Sequence, residues 1–293
     1  MLGEIRGEVR FKEPLSFHTS LRIGGPADIF IVPQDVEDIR LALSFAEREQ
    51  LPLDVVGGGN NLLVSDRGVR GVVLKLEGCL GRAEFNGEEA VAGAGVSLSA
   101  LIREAAALNL GGIECLVGVP ATVGGAVAMN AGTPDGGIGD FISAVYFLYP
   151  DGTLGEFKPG AGSFSNRTFT APPRAVLIGA RLQLHRRPFA EIQRDIKVRL
   201  KQKKATQPLA LASVGCVWKN PPGETASRLI EKVGLRGKRL NGAEISAKHA
   251  NFIVNRGGAA ATDIKALMQL ALERVRNHFG ITLEPEIKTL GEI

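Results

Sequence analysis

Cysteine, histidine and long apolar runs are all scarce in this chain, and each scarcity narrows what it can be. The three cysteines, Cys79, Cys115 and Cys216, are odd in number and show no CxxC or Cys/His ligand spacing. That argues against a disulfide scaffold or a zinc site and points to a reducing compartment. The four histidines form no HExxH pattern and no triad with a serine, so metal-dependent and serine-triad hydrolysis are not expected. No apolar run approaches the length of a membrane span. The opening MLGEIRGEVRFKEP is charged from its fourth residue and lacks an apolar h-region, so no signal peptide is expected. A net charge of +4 is too small to mark a nucleic-acid binder. Internal repeats and low-complexity tracts are also missing. The expectation is a cytoplasmic protein with no nucleic-acid, membrane or metal partner.

What is present is glycine. Thirty-seven glycines, mostly in the first half, punctuate short β-type runs: ADIFIVP, LPLDVVG, GVVLKL, AVYFLYP and AVLIGARLQL. Modest helices lie between them. Asp35 is placed to cap a helix with Val36, Ile39, Leu43 and Ala46 on its apolar face, and Ser97 to cap another carrying Leu101, Ala105 and Leu108. A longer helix starts at Pro188, with Phe189, Ile192, Ile196 and Leu200 on one face, and leads to a C-terminal region. That region holds a helix near Thr225–Val233, a strand NFIVN, and a helix from about Asp263 to His278. The last helix buries Ile264, Leu267, Ala271 and Val275 and stops at Gly280. This alternation predicts an α+β or α/β body. With 293 residues there is room for two or three domains, with boundaries placed at 1–75, 76–205 and 206–293.

Basic residues crowd 186–204, where a solvated helix face is the favoured reading. A second group follows, from Lys219 and Arg228 to Arg239 and Lys248; there a solvated face and a site for an anionic small molecule are equally good readings. Two glycine-rich segments carry more. DVVGGGNNLLVSD runs from strand to strand through Gly57, Gly58, Gly59, Asn60 and Asn61. Glycines there permit positive φ and an anion-binding nest of N–H groups. The loop is neither a Walker motif nor a GxGxxG turn, and taken alone it is equally a hairpin turn. GVPATVGGAVAMNAG (Gly118–Gly132) is nearly all small residues, which suits a large, flat, phosphate-bearing ligand as well as a tight element crossing. Two such segments in one domain favour a dinucleotide.

These segments, with HTSLRIGGPADIFIVP, SVGCVWKNPPG, EISAKHANFIVN and LEPEIKTLG in that order, resemble the UDP-N-acetylenolpyruvoylglucosamine reductase family over essentially the whole chain. The short connection from Arg167 to Arg181 is similar to the shorter subclass, without an extra tyrosine loop. The resemblance implies a two-part FAD-binding module of the vanillyl-alcohol-oxidase/PCMH type plus a C-terminal α+β substrate-binding domain. It implies FAD and NADPH as cofactors and a UDP-sugar as substrate, with hydride passing from the reduced flavin N5 to C3 of an enolpyruvyl group. For the glycine-rich segments it implies FAD contacts at Gly57–Asn61 and at Gly118, Val119, Pro120, Ala121, Thr122, Gly124, Gly125 and Ala126. The catalytic positions it implies are Arg167, after Asn166 where the family has tyrosine, Glu286 in LEPE, and Cys216 where the family has a serine proton donor. Lys219, Asn220, Lys248 and His249 match substrate-side positions.

The residue chemistry agrees with these assignments. Hydride addition to an enol ether conjugated with a carboxylate builds enolate charge, which a fixed guanidinium stabilises, and a positioned donor must protonate C2. A thiol, with an unperturbed pKa of about 8.5, is a better acid than a serine hydroxyl. In isolation Cys216 reads as a small buried residue, a reading its place in the family motif reverses; Glu286 reads as an exposed strand carboxylate, which LEPE by itself does not displace, and Arg167 as a surface arginine. Rival readings are a related FAD oxidoreductase of different substrate and a flavin- or nucleotide-sugar-binding protein without turnover.

Overall fold

The computed structural model describes residues 2–165 and 167–292. By contacts the chain forms two units, each assembled from separate stretches of sequence. The first comprises Met1–Phe11, Ile29–Gly58 and Gly71–Gln202, the second Lys12–Asp28, Gly59–Arg70 and Lys203–Ile293.

The first unit carries two sheets. One is four-stranded, in the order Glu8–Pro14, Pro26–Val32, Val69–Lys75, Leu53–Val56. Helix Val36–Arg48 begins where expected, because Asp35 accepts hydrogen bonds from the N–H groups of Glu37 and Asp38. Its Ile39, Ala42, Leu43 and Ala46 join Ile31, Val72 and Leu74 in one core. The other sheet is five-stranded and antiparallel, in the order Leu154–Phe157, Ile142–Leu148, Val176–Gln183, Glu89–Gly93, Ala83–Asn86. Helices Leu98–Ala107 and Val123–Ala128 share its core through Leu98, Leu101, Ile102, Val123 and Ala126. Each of the buried leucines and Ile102 contributes roughly 1.5–3 kcal/mol, so a charge at Leu101, fully buried, would undo this layer.

Two sequence expectations in this unit are corrected. Ser97 precedes helix Leu98–Ala107, but its hydroxyl makes no cap and pairs with Ser99 Oγ at 2.9 Å. The helix begins instead from a backbone tie, Leu98 N–H to Ala121 carbonyl. Helix Phe189–Thr206 forms, yet of its anticipated apolar face only Ile192 is buried; Phe189 and Leu200 are exposed. Ile196, half-buried, packs on the same core as Ile192, and Asp195 and Arg199 add ion pairs with Arg187 and Asp135.

The second unit centres on an antiparallel sheet, Ala212–Cys216, Phe252–Asn255, Ala243–Ile245, Arg239–Leu240. Helices Ala226–Lys232 and Ala261–Phe279 pack on it through Leu229, Ile230, Ile264, Leu267, Ala271 and Val275. Asp66, from the distant GGGNNLLVSD segment, caps the longer helix by accepting from the N–H groups of Ala261 (2.7 Å) and Thr262 (3.1 Å). Gly280, at φ 69°, ends that helix in the left-handed conformation. The terminal strand Lys288–Leu290 pairs in parallel with Leu62–Val64. Among the described residues no helix is long and apolar enough to cross a membrane.

Candidate active site

The first unit contains a cavity of about 230 Å³ whose lining includes Val55, Gly57, Thr122, Gly124, Gly125 and Phe147. The two glycine-rich segments, far apart in sequence, meet here. A Cβ on Gly57 would lie 2.5 Å from Thr122 Oγ1, and one on Gly124 would lie 2.8 Å from Ala94 Cβ. Both contacts require glycine, because a methyl at either place would push the segments apart. Thr122 is buried and its hydroxyl accepts the Gly125 N–H. The segment is fastened by Val123 N–H to Val96 carbonyl (2.8 Å) and Gly124 N–H to Ala94 carbonyl (2.9 Å). Gly118 turns the chain at φ 74°, Pro120 is exposed, and Val119 and Ala121 pack on the core in which Ala126 is fully buried.

Lys75 ends its strand as a buried cation, donating to the Gly57 carbonyl at 3.1 Å and pairing with Glu77 at 2.7 Å. Sequence reasoning passed over it; the only signal was a charge closing the apolar run GVVLKL. Among the described residues, the Gly58 N–H donates to no protein acceptor, so it is left for water or a ligand. Small lining residues, an apolar wall and an unspent backbone donor fit a flat, phosphate-bearing cofactor such as FAD.

Arg167 also belongs to the first unit. It holds φ 60°, uncommon for a side chain this large, immediately before strand Thr168–Phe169. That strand pairs with Phe164–Ser165, and Phe164 stacks on Phe169 with centroids 4.7 Å apart. Asn130 ties the pair down, donating to Ser165 carbonyl at 2.9 Å and accepting from Gly139 N–H. The guanidinium is anchored by Nη1 donating to the Gly132 carbonyl at 2.8 Å. Asn166, which stands where the family has tyrosine, lies outside the described residues.

In the second unit Cys216 and Glu286 are brought onto neighbouring segments. Glu286 N–H donates to Val217 carbonyl at 2.8 Å, Lys219 N–H to Glu284 carbonyl at 2.9 Å, and Trp218 pairs with Pro285. Cys216 and Glu286 are both half-buried. Cys79 and Cys115, by contrast, are buried, and burial pushes each thiol up to about 11. Asn61 joins this group: its Nδ2 donates to the Glu286 carbonyl at 3.1 Å, and its own carbonyl accepts from Lys288 N–H. Gly59, at φ 65°, lets this loop approach His18, whose carbonyl would lie 1.9 Å from an added Cβ.

Lys219 lies 3.5 Å from Glu284. Asn220 Oδ1 accepts from Ala226 N–H at 3.0 Å, so that side chain also starts helix Ala226–Lys232. Lys248 donates to the Lys204 carbonyl at 2.5 Å. His249 stacks edge-on against Phe252, the residue opposite Cys216, and burial lowers its pKa, leaving it neutral. The second basic group is largely matched by acids: Arg228 and Lys232 with Glu224, Arg236 with Glu231, and Arg239 with buried Glu244. Among the described residues no cluster of three or more His, Cys, Asp or Glu could hold a metal.

Comparison with known proteins follows this division. Residues 27–158 match the FAD binding domain family. Residues 207–290 match the family described as UDP-N-acetylenolpyruvoylglucosamine reductase, C-terminal domain. The UDP-N-acetylenolpyruvoylglucosamine reductase of Anaeromyxobacter sp. (strain Fw109-5) is 44% identical over 289 residues, 98% of this chain and 90% of that protein. That of Moorella thermoacetica is 42% identical over 285 residues, 97% and 94% of the two chains. The crystal structure of UDP-N-acetylenolpyruvylglucosamine reductase from Thermus caldophilus matches with a TM-score of 0.83 at 36% identity, covering 98% of this chain and 100% of that one.

Proposed function

Because the chain belongs to the UDP-N-acetylenolpyruvoylglucosamine reductase family, we propose that it reduces the enolpyruvyl group of UDP-N-acetylglucosamine enolpyruvate. The product is UDP-N-acetylmuramate, a peptidoglycan precursor, and the work is done in the cytoplasm with NADPH as reductant and FAD as bound cofactor. The observation that carries the reading is the pairing of the Cys216 and Glu286 segments through Glu286 N–H and Val217 carbonyl, inside the matched C-terminal domain.

FAD, when bound, would supply the hydride-transfer chemistry between NADPH and C3. Gly57, Thr122, Gly124 and Gly125 would hold it, with Lys75 orienting the Gly57 peptide. As the hydride arrives, negative charge spreads over C2 and the adjoining carboxylate. The Arg167 guanidinium, fixed by Gly132, stabilises that charge without reorganising, and Glu286 completes the polarisation. Cys216 then protonates C2: its S–H bond breaks, a C–H bond forms, and the thiolate recovers a proton from water. Lys219 and Asn220 receive the UDP part, with Lys248 and His249 on the substrate side. The test is NADPH oxidation by the purified flavoprotein with and without UDP-N-acetylglucosamine enolpyruvate. The expected result is a rate that depends on the sugar nucleotide; a rate indifferent to it overturns the proposal.

A further inference from the structure

The strand carrying Cys216 outlasts its partner. Ala212–Cys216 runs antiparallel to Phe252–Asn255 with Cys216 opposite Phe252, and its register slips between Ser213 and Cys216, where Gly215 takes φ 82°. Before Phe252 the partner chain turns, and a backbone ladder would end there. Asn251 continues it with a side chain. Its carbonyl accepts from Val217 N–H at 2.8 Å, its Oδ1 accepts from Trp218 N–H at 2.9 Å, and its Nδ2 donates to Trp218 carbonyl at 2.8 Å. The amide thus presents the donor and acceptor of a peptide unit to the residues directly after Cys216. On the opposite edge, Val217 carbonyl receives Glu286 N–H and Lys219 N–H reaches Glu284 carbonyl. Asn251 is only 3% exposed, so water cannot substitute for it.

We propose that Asn251 is a positioning residue of the reaction: its side-chain amide clamps the N–H and carbonyl of Trp218, its main-chain carbonyl takes the Val217 N–H, and together these fix Cys216 and the Glu286 segment. The inference rests on the reductase reading above. Few other side chains could serve. Aspartate lacks the donor and would set a charge against the Trp218 carbonyl. Serine is too short to span both groups, and an apolar isostere leaves a buried N–H and a buried carbonyl unpaired.

Asn251→Ser and Asn251→Asp, prepared as FAD-loaded full-length protein, test the assignment. Flavin reduction by NADPH should stay within about twofold of native, while kcat with the sugar nucleotide falls on the order of 100-fold, the cost of a misplaced reacting group. KM should change far less. The solvent deuterium isotope effect on kcat should rise as protonation becomes limiting, and iodoacetamide should alkylate Cys216 at an altered rate. A folded, flavin-loaded Asn251→Ser with native kcat and a native isotope effect overturns the assignment, as does an equal loss in flavin reduction. Should both variants fail to fold, hydrogen exchange on the native protein decides: slow exchange at the Trp218 amide, which the Asn251 side chain accepts, supports the clamp and fast exchange refutes it. A native protein without sugar-nucleotide-dependent turnover instead refutes the reductase reading, and this inference with it.

Discussion

Replacing Cys216 by alanine removes one sulfur from a half-buried strand end. Little packing is lost, and the backbone hydrogen bonds on either side, Val217 to Asn251 and Glu286 to Val217, do not involve the side chain. Stability and flavin content should therefore hardly change. The proton donor, however, is gone. Positioned general acids contribute about 10²–10⁴-fold, which at 1.36 kcal/mol per tenfold is roughly 2.7–5.4 kcal/mol of barrier. Reduction of the flavin by NADPH needs no proton from Cys216 and should proceed normally. Stopped-flow absorbance separates the two half-reactions: bleaching by NADPH at native rate, then reoxidation by the sugar nucleotide slowed by at least about two decades. Cys216→Ser places a hydroxyl at the proposed donor position and should recover appreciable turnover. If Cys216→Ala turns over within twofold of native, the thiol is not the donor and the proposed protonation step is wrong.

Gly57→Ala drives a methyl to 2.5 Å from Thr122 Oγ1 and should lower the flavin retained per protein after gel filtration; native stoichiometry would clear the cavity of the proposed role. Arg167→Lys keeps the charge but loses the planar anchor on Gly132. It should cost about 10²–10³ in kcat with flavin reduction intact, read in the same stopped-flow experiment. Glu244→Gln tests the buried carboxylate. Hydrogen bonding from Arg256 chiefly, against the opposing effect of burial, with help from Arg239, holds Glu244 below the usual carboxylate range. Its contribution is therefore complete above the unfolded value of about 4.3 and is lost as pH falls through the lower folded value. Denaturant unfolding should show the variant weaker than native at neutral pH, with the gap closing in acid; a gap independent of pH contradicts the assignment.

The periodic elements were legible because their cause is local. Asp35 caps the helix it precedes, and Ile264, Leu267, Ala271 and Val275 are buried at the spacing that announces them. Ser97 failed as a cap because a backbone bond from Leu98 to Ala121 had already set the helix start. Phe189 and Leu200 failed as core because periodicity registers an apolar stripe whether or not a neighbour covers it. The motifs brought Gly57, Thr122, Cys216 and Glu286 to attention, but not what holds them. Lys75, Asp66 and Asn251 act on partners 18, 195 and 33 residues away in sequence, and hydrogen bonds at such separations leave no local pattern. Asparagine is especially opaque, since the residue that favours turns is here standing in for a peptide.

The same distinction between reacting groups and their supports bears on the proposed thiol donor at position 216. A carbon–sulfur bond is longer than a carbon–oxygen bond, so a thiol in a serine slot must be aimed by its backbone. Here the backbone is over-determined: Gly215 turns the chain, Asn251 accepts two hydrogen bonds and donates one on one edge, and on the other Glu286 N–H donates to Val217 while Glu284 carbonyl accepts from Lys219. A loosely held strand end would let the larger atom swing, and proton delivery to C2 would lose its defined face. The consequence is asymmetric. Cys216→Ser in the native frame should cost little, because the same hydrogen bonds position the smaller hydroxyl. Cys216→Ser combined with Asn251→Ser should lose more activity than the two single changes multiplied together, because the weaker acid depends more on placement. Multiplicative losses in that double-mutant cycle would show that clamp and donor act independently, and the coupling argued here would fall.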